Sequence, residues 1–368
     1  MNSAEIAKLA NVSRATVSRV LNGHSNVSAS TKEKIERIMR EHNYFPDEAA
    51  RKLAGKSNQM IALFVIDFSS KPGEYTVTRS PFFSEFAGYA IDIANIHGYN
   101  LVTTIIHKEN LSDIDRLFQS KSIAGGIIMG DILDQGFLAN LSSQGYKLVL
   151  CHQIRHSPSP NILVVGLDNY KCGRLAGEEL IRNGHTRIAH ITGERHRIAV
   201  QDRLEGFINA LTAAGLSFDK EHYLEYGEFY CNHSDYEATL RLLQRNLYCL
   251  PTAIFISSVL MQVGVMKALR DFGLRVPADI SLICLDEVSA DIYTDPPISV
   301  VSFSNEKYAK LAVTKLIELI NCGSLPIHDY TISDCNVIRR ESILDISKAG
   351  TNENSNTKIN LPSIRKNS

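Results

Sequence analysis

The sequence predicts a small all-α head joined to a two-lobed α/β body, and three observations carry that reading. The first sixty residues place apolar side chains at helical spacing. From Met60 onward, short β-branched runs alternate with amphipathic stretches of helix length. Charge divides along the same line: residues 1–57 hold ten Lys/Arg and six Asp/Glu, leaving 29 of 39 basic and 34 of 40 acidic residues to the remainder. A basic head on an acidic body, masked by a net charge of −1, points to a polyanionic partner for the head.

The 368 residues suggest two or three compact units, and 44% hydrophobic with 21% charged content suits a soluble globular chain. No apolar run approaches the ~20 residues of a membrane span and no signal-type apolar region opens the chain, so a cytoplasmic protein with no membrane partner is expected. Seven cysteines are scattered, odd in number and never spaced C-x-x-C. Reduced thiols are therefore expected, rather than a zinc site or a disulfide framework.

In the head, Ile6, Leu9 and Ala10 form one helical stripe, interrupted at Asn11-Val12, where Asn11 suits a left-handed helix end. Ser13 is a natural N-cap, and Val17, Val20 and Leu21 follow at i, i+3, i+4. Two short helices joined by three residues make a helix-turn-helix pattern. Arg14, Ala15, Ser18, Arg19 and Asn22 lie on the outer face of the second helix. Small residues there let a helix sink into a major groove, Arg can donate twice to guanine, and Ser or Asn can reach phosphates or base edges. Ser30-Thr31-Lys32-Glu33 reads as a capping box before a third helix with Ile35, Ile38 and Met39 on its apolar face. Residues 46–55 look like a fourth helix of about two turns, with Pro46 at its start and Gly55 at its stop, too short to be stable alone. On these patterns alone a purely structural bundle stays open.

In the body, runs such as "IALFVIDF", "LVTTII", "GGIIMG", "KLVLC", "RIAHIT", "AIFIS", "SLICL" and "ISVVSF" read as strands of parallel sheet covered on both faces. Eight or more strands over about 280 residues favour two lobes over one sheet. Ligands in such folds bind beyond the C-terminal ends of strands. No glycine-rich phosphate loop, G-x-S-x-G elbow or metal-spaced His/Asp/Glu cluster is found, which argues against an enzyme and implies no cofactor and no metal.

The segments "EIAKLANVSRATVSRVLNG", "VSASTKEKI", "NYFP" and "AARKLAGK" resemble, across residues 3–56, the head of the bacterial lactose-repressor/galactose-repressor (LacI/GalR) family of transcription regulators. The body is similar to the same family to about residue 344, through "SPFFSEFAGYAIDIANIHGY", "LAGEELIRNGHTRIAHITG", "RLEGFINALTAAGL", "VPADISLICLDE", "DPPISVV" and "VIRRES". The resemblance implies a helix-turn-helix DNA-binding domain at 1–45, a hinge helix and linker at 46–57, and a periplasmic-binding-protein-like effector and dimerisation domain at 58–345. The tail at 346–368 is polar, lacks apolar heptads and is expected to be disordered, which favours a dimer over a tetramer.

By the same resemblance, Arg14 and Ala15 read bases with Arg19 following, and Thr16 belongs to the same surface. Ser13, Ser18, Asn22, Ser28, Thr31 and Tyr44 contact phosphate, while Leu53 beside Ala50 wedges into the minor groove. Effector positions fall on Asp286, Arg203, Arg197, Phe83 and Phe229, with His152 where an acidic residue is frequent. Asp286 and Arg203 could instead form an internal ion pair, and either Phe could be core. Ser258-Val259 replaces a frequent Asn-Asp, which weakens sugar binding by acid–hydroxyl pairs. The expectation is a homodimeric, nucleoid-associated, sequence-specific repressor of a pseudo-palindromic operator in double-stranded DNA. A sugar or sugar derivative is the expected effector, with a nucleoside, purine or other co-repressor as the alternative.

Overall fold

The computed structural model describes residues 3–21, 27–42, 59–67, 80–130, 135–151, 159–229, 233–286 and 293–347. The expected fourth helix at 46–55 and nearly all of the expected tail lie outside these residues. The chain divides into a head, Met1–Asn58, and a body, Gln59–Ser368.

The head contains α1 (Ser3–Ala10), α2 (Arg14–Leu21) and α3 (Ala29–Glu41). Ile6, Ala7, Ala10, Val17, Val20, Ile35 and Ile38 form its core, with Val12, Val27 and Met39 packed against them. Leu9, expected in the stripe, is instead 50% exposed. Ala7 takes its place, and residues two apart sit about 200° round a helix, so burying Ala7 turns Leu9 outward. Asn11 adopts the expected left-handed conformation at φ 54°, and the Val12 amide donates to the Ala7 carbonyl at 3.0 Å, closing the helix end. The Ser13 hydroxyl accepts from the Thr16 amide at 3.1 Å, as expected of an N-cap. The capping box is displaced: Ser28, not Ser30, caps α3 by accepting from the Thr31 amide at 3.3 Å. Val27, anchored on the core just before it, fixes where the chain enters the helix.

The body has two six-stranded sheets. The first is ordered β11-β5-β4-β3-β1-β2, from Asp329–Ile332, Ile162–Leu167, Leu148–Cys151, Gly125–Met129, Met60–Asp67 and Asn100–His107. All its pairings are parallel. The second is ordered β12-β10-β9-β8-β6-β7, from Cys335–Ile338, Ser299–Phe303, Ser281–Leu285, Ala253–Ile256, Ile188–Thr192 and Leu224–Tyr226. Only β12 runs antiparallel there. The eight quoted runs all became strands. The helices connecting them among the described residues are α4 (Pro81–Ile96), α5 (Ser112–Gln119), α6 (Gln135–Ser143), α7 (Asn169–Arg182), α8 (Ile198–Ala213), α9 (Lys220–Tyr223), α10 (Ser234–Arg245), α11 (Val259–Asp271) and α12 (Asn305–Cys322).

Each sheet heads one lobe, and the chain crosses between lobes three times, after β5, after β10 and between β11 and β12. The first and third crossings are bonded side by side. The Asp168 amide donates to the Ile332 carbonyl at 3.0 Å, and the Ser333 hydroxyl donates to the Asp168 carboxylate at 3.0 Å. Asp168 also caps α7 by accepting from the Lys171 amide at 2.9 Å. No helix among the described residues is long and apolar enough to cross a membrane.

Candidate nucleic-acid interface and effector cleft

In the head, the burial of Val17 and Val20 fixes the rotation of α2 and turns Arg14, Ala15, Ser18 and Arg19 to solvent. Ser3 accepts from the Arg14 Nε at 3.1 Å, steadying the guanidinium from the neighbouring helix. Thr16 is half-buried, with its hydroxyl 2.9 Å from that of Ser13. Ser28 and Thr31 bond to each other at 2.8 Å at the start of α3. Asn22, Tyr44, Ala50 and Leu53 lie outside the described residues.

The body holds a cleft of about 880 Å³, part of it open to solvent, at the C-terminal ends of the strands. Ile66, Met129, Leu285 and Phe303, at or near the ends of β1, β3, β9 and β10, form its apolar floor. Phe83, Arg197, Arg203, Phe229 and Asp286 all line this one cavity. His152 lies outside the described residues.

Arg203 reaches the cleft from α8, where two glycines let α7 and α8 cross with backbones in contact. A Cβ on Gly173 would stand 1.9 Å from the Arg203 carbonyl oxygen, and one on Gly206 would stand 1.9 Å from that of Tyr170. The guanidinium donates to the Asn169 side-chain oxygen at 2.8 Å and to the Ser257 carbonyl at 2.9 Å. Arg203 is thus tied to the first crossing and to the end of β8. Arg197 forms a two-point pair with Glu194, at 3.0 Å and 3.1 Å, and lies 5.7 Å from the centre of the Phe229 ring. That ring sits on Gly193, where a Cβ would come within 2.3 Å of it.

Asp286 follows β9 with φ 76°, a left-handed conformation uncommon outside glycine, and its amide donates to the Val301 carbonyl at 3.0 Å. Backbone strain of this kind concentrates at ligand sites. Phe83 is 4% exposed, so it is both a core residue and part of the cleft wall. Phe82, Phe303, Ser80 and Ser257 also line the cleft and were not singled out from the sequence. The strand-end rule signals Phe303 and Ser257, whereas Phe82 and Ser80 depend on how α4 packs. Among the described residues no cluster of His, Cys, Asp or Glu could hold a metal ion.

A helix-turn-helix head and a two-lobed body with a cleft between its sheets define a DNA-binding regulator with an effector-binding domain. Residues 4–47 match the family described as bacterial regulatory proteins, lacI family, and residues 178–343 match a periplasmic binding protein-like domain. The chain is 30% identical over 345 residues to the HTH-type transcriptional repressor PurR of Aliivibrio fischeri, covering 93% of this chain and 98% of that protein. It is 31% identical over 321 residues to the ribose operon repressor of Haemophilus influenzae, covering 86% and 91%. The chain therefore belongs to the lacI family of bacterial regulatory proteins and is not an enzyme. Its structure is similar to that of a transcriptional regulator CelR–cellobiose complex, with TM-score 0.69, 25% identity and coverage of 93% and 99%. A lac repressor dimer bound to operator and an anti-inducer shares the fold, with TM-score 0.78, 24% identity and coverage of 94% and 99%.

Proposed function

We propose that this regulator is a homodimeric repressor whose paired heads grip a pseudo-palindromic operator, and whose grip changes when a sugar or sugar derivative occupies the cleft. The observation that carries it is the exposed Arg14, Ala15, Ser18 and Arg19 face of α2, held outward by buried Val17 and Val20. Relatives at 30–31% identity are named repressors, and a similar structure holds cellobiose. The effector acts only through its difference in affinity for the two states of the dimer. Arg197, Arg203 and Asp286 offer donors and an acceptor to ligand hydroxyls, and Phe83 and Phe229 offer flat apolar faces. Those rings favour a second reading, in which the effector is a flat heterocycle such as a nucleoside or purine.

Two measurements test the proposal. Selection from a random duplex library should recover an inverted repeat retained in a salt-sensitive manner, and its absence would sink the repressor reading. A thermal-shift screen of sugars, sugar phosphates, nucleosides and purines should find a stabilising class whose effect disappears in Asp286→Ala. An effector that stabilises both proteins equally removes Asp286 from the site. Leu53→Ala should weaken operator binding with effector affinity unchanged, and equal operator affinity would refute the wedge role taken from the family resemblance.

A further inference from the structure

Two cysteines meet where the lobes are joined. Cys172 lies in the first turn of α7, four residues after Asp168 at the first crossing, and Cys335 opens β12, two residues after Ser333 at the third. Those crossings are clamped together by the Asp168 amide on Ile332, by Ser333 on Asp168, and by the Lys171 ammonium on the Ser333 carbonyl at 2.6 Å. Both sulfurs are free thiols in one apolar cluster, Cys172 fully buried and Cys335 7% exposed. Their environments are opposite. The neighbouring Cys335 and burial raise the Cys172 pKa, whereas Cys172 and the Lys171 charge lower that of Cys335 against burial and Asp168.

We propose that Cys172 and Cys335 form a reversible thiol–disulfide site that straps the first and third crossings together, with a hydroperoxide as the oxidant. The solvent-touching Cys335 thiolate attacks the peroxide oxygen, forming a sulfenic acid as the O–O bond breaks; for hydrogen peroxide the leaving hydroxide takes up the proton that the Cys335 thiol had released and departs as water. The Cys172 sulfur then attacks the Cys335 sulfur, its proton goes to the departing hydroxide, and a second water leaves with the disulfide formed. Two thiols are oxidised and one peroxide is reduced. A small dithiol restores the pair. The two exposed cysteines among the described residues, Cys249 and Cys322, lie outside this cluster and serve as internal controls.

The full-length protein is treated with hydrogen peroxide, quenched, denatured, alkylated and digested, and its peptides are mapped by mass spectrometry with and without dithiothreitol. The expected product is a Cys172–Cys335 linked peptide, lighter than the two separate peptides by two hydrogens, which dithiothreitol abolishes. Oxidation of Cys249 or Cys322 while the Cys172 and Cys335 peptides stay fully alkylated overturns the proposal. Cys335→Ser should eliminate both the link and the sulfenic intermediate trapped by dimedone. Cys172→Ala should eliminate the link yet accumulate the dimedone adduct on Cys335, an outcome that a merely structural pair would not give. The readout needs neither operator nor effector, so its failure is separable from failure of the repressor reading.

Discussion

His190 shows how one side chain can set a pH response in this molecule. It lies on β6 with no exposed surface, stacked on Phe255 at 4.5 Å between ring centres and beside Phe207 at 5.3 Å. Its Nδ1 donates to the Phe255 carbonyl at 3.0 Å, and its Nε2 has no hydrogen-bond partner among the described residues. Burial pushes its pKa down to about 3, with a smaller push from the Arg203 charge, so the folded protein holds a neutral ring. Between the ordinary value of 6.5 and about 3, the unfolded chain binds a proton that the folded one refuses. His190 therefore costs no stability above that window, and stability falls as pH drops through it, by about 1.4 kcal/mol per pH unit. Urea unfolding of wild type and His190→Phe from pH 8 to 5 should show a shallower acid slope in the variant; parallel curves would disprove this role. At the same scale, Arg14→Ala should cost about 1–3 kcal/mol of discrimination at one operator position, read from the same duplex selection. Both arginines of the cleft, and Asp286, were legible in the sequence through the family resemblance. The cap shared by Ser28 and Thr31 was not, because two serines two residues apart satisfy the same pattern and only the anchoring of Val27 chooses between them.

Between elements, the crossing of α7 and α8 sets where Arg203 enters the cleft. Gly173 and Gly206 bring the two backbones into contact, and that approach delivers Arg203 to Asn169. Gly206→Ala should force the helices apart, lowering stability by about 1–3 kcal/mol in denaturant unfolding and weakening effector binding beyond that. A variant of wild-type stability would show that the crossing has slack. Gly193→Ala is a contrasting case: its Cβ would meet the Phe229 ring and not backbone, so effector affinity should fall more than stability, measured by titration alongside Tm. The strands were readable because each central one is mostly apolar and buried along nearly its whole length, as sheets covered on both faces require. The short strands β7, β11 and β12 lack that signature: β11 and β12 are partly exposed, and each gains its identity from a neighbour already in place. The Leu9 stripe failed for a related reason, since helical periodicity gives an amphipathic face but its rotation is set by what packs on it.

For the molecule as a whole, three crossings join the two lobes. Asp168 bonds the first to the third, capping α7 and holding Ser333. Asp168→Ala should lose about 1 kcal/mol of stability from the missing cap, and under the proposed effector response the effector affinity should change with it, because Asp168 bonds two of the chain crossings between the lobes. Calorimetric titration with whichever effector the screen identifies checks this, and an unchanged affinity would remove Asp168 from that response. The cleft was foreseeable from the rule about strand ends and from the family resemblance. That Ile66 and Met129 from one sheet face Leu285 and Phe303 from the other follows from the lobes being joined three times, which no local pattern encodes.

The sequence by itself determined the helical head with its outward arginines, the parallel strands and the family, because periodicity, caps and motifs act over a few neighbouring residues. Tertiary structure alone decided that Phe82, Phe303, Ser80 and Ser257 join the expected residues in the cleft, that Phe83 belongs to core and cleft wall together, and that Cys172 meets Cys335 across 163 positions. Such meetings arise from the order in which the chain returns to each sheet, a long-range property that close packing enforces and local propensity does not record.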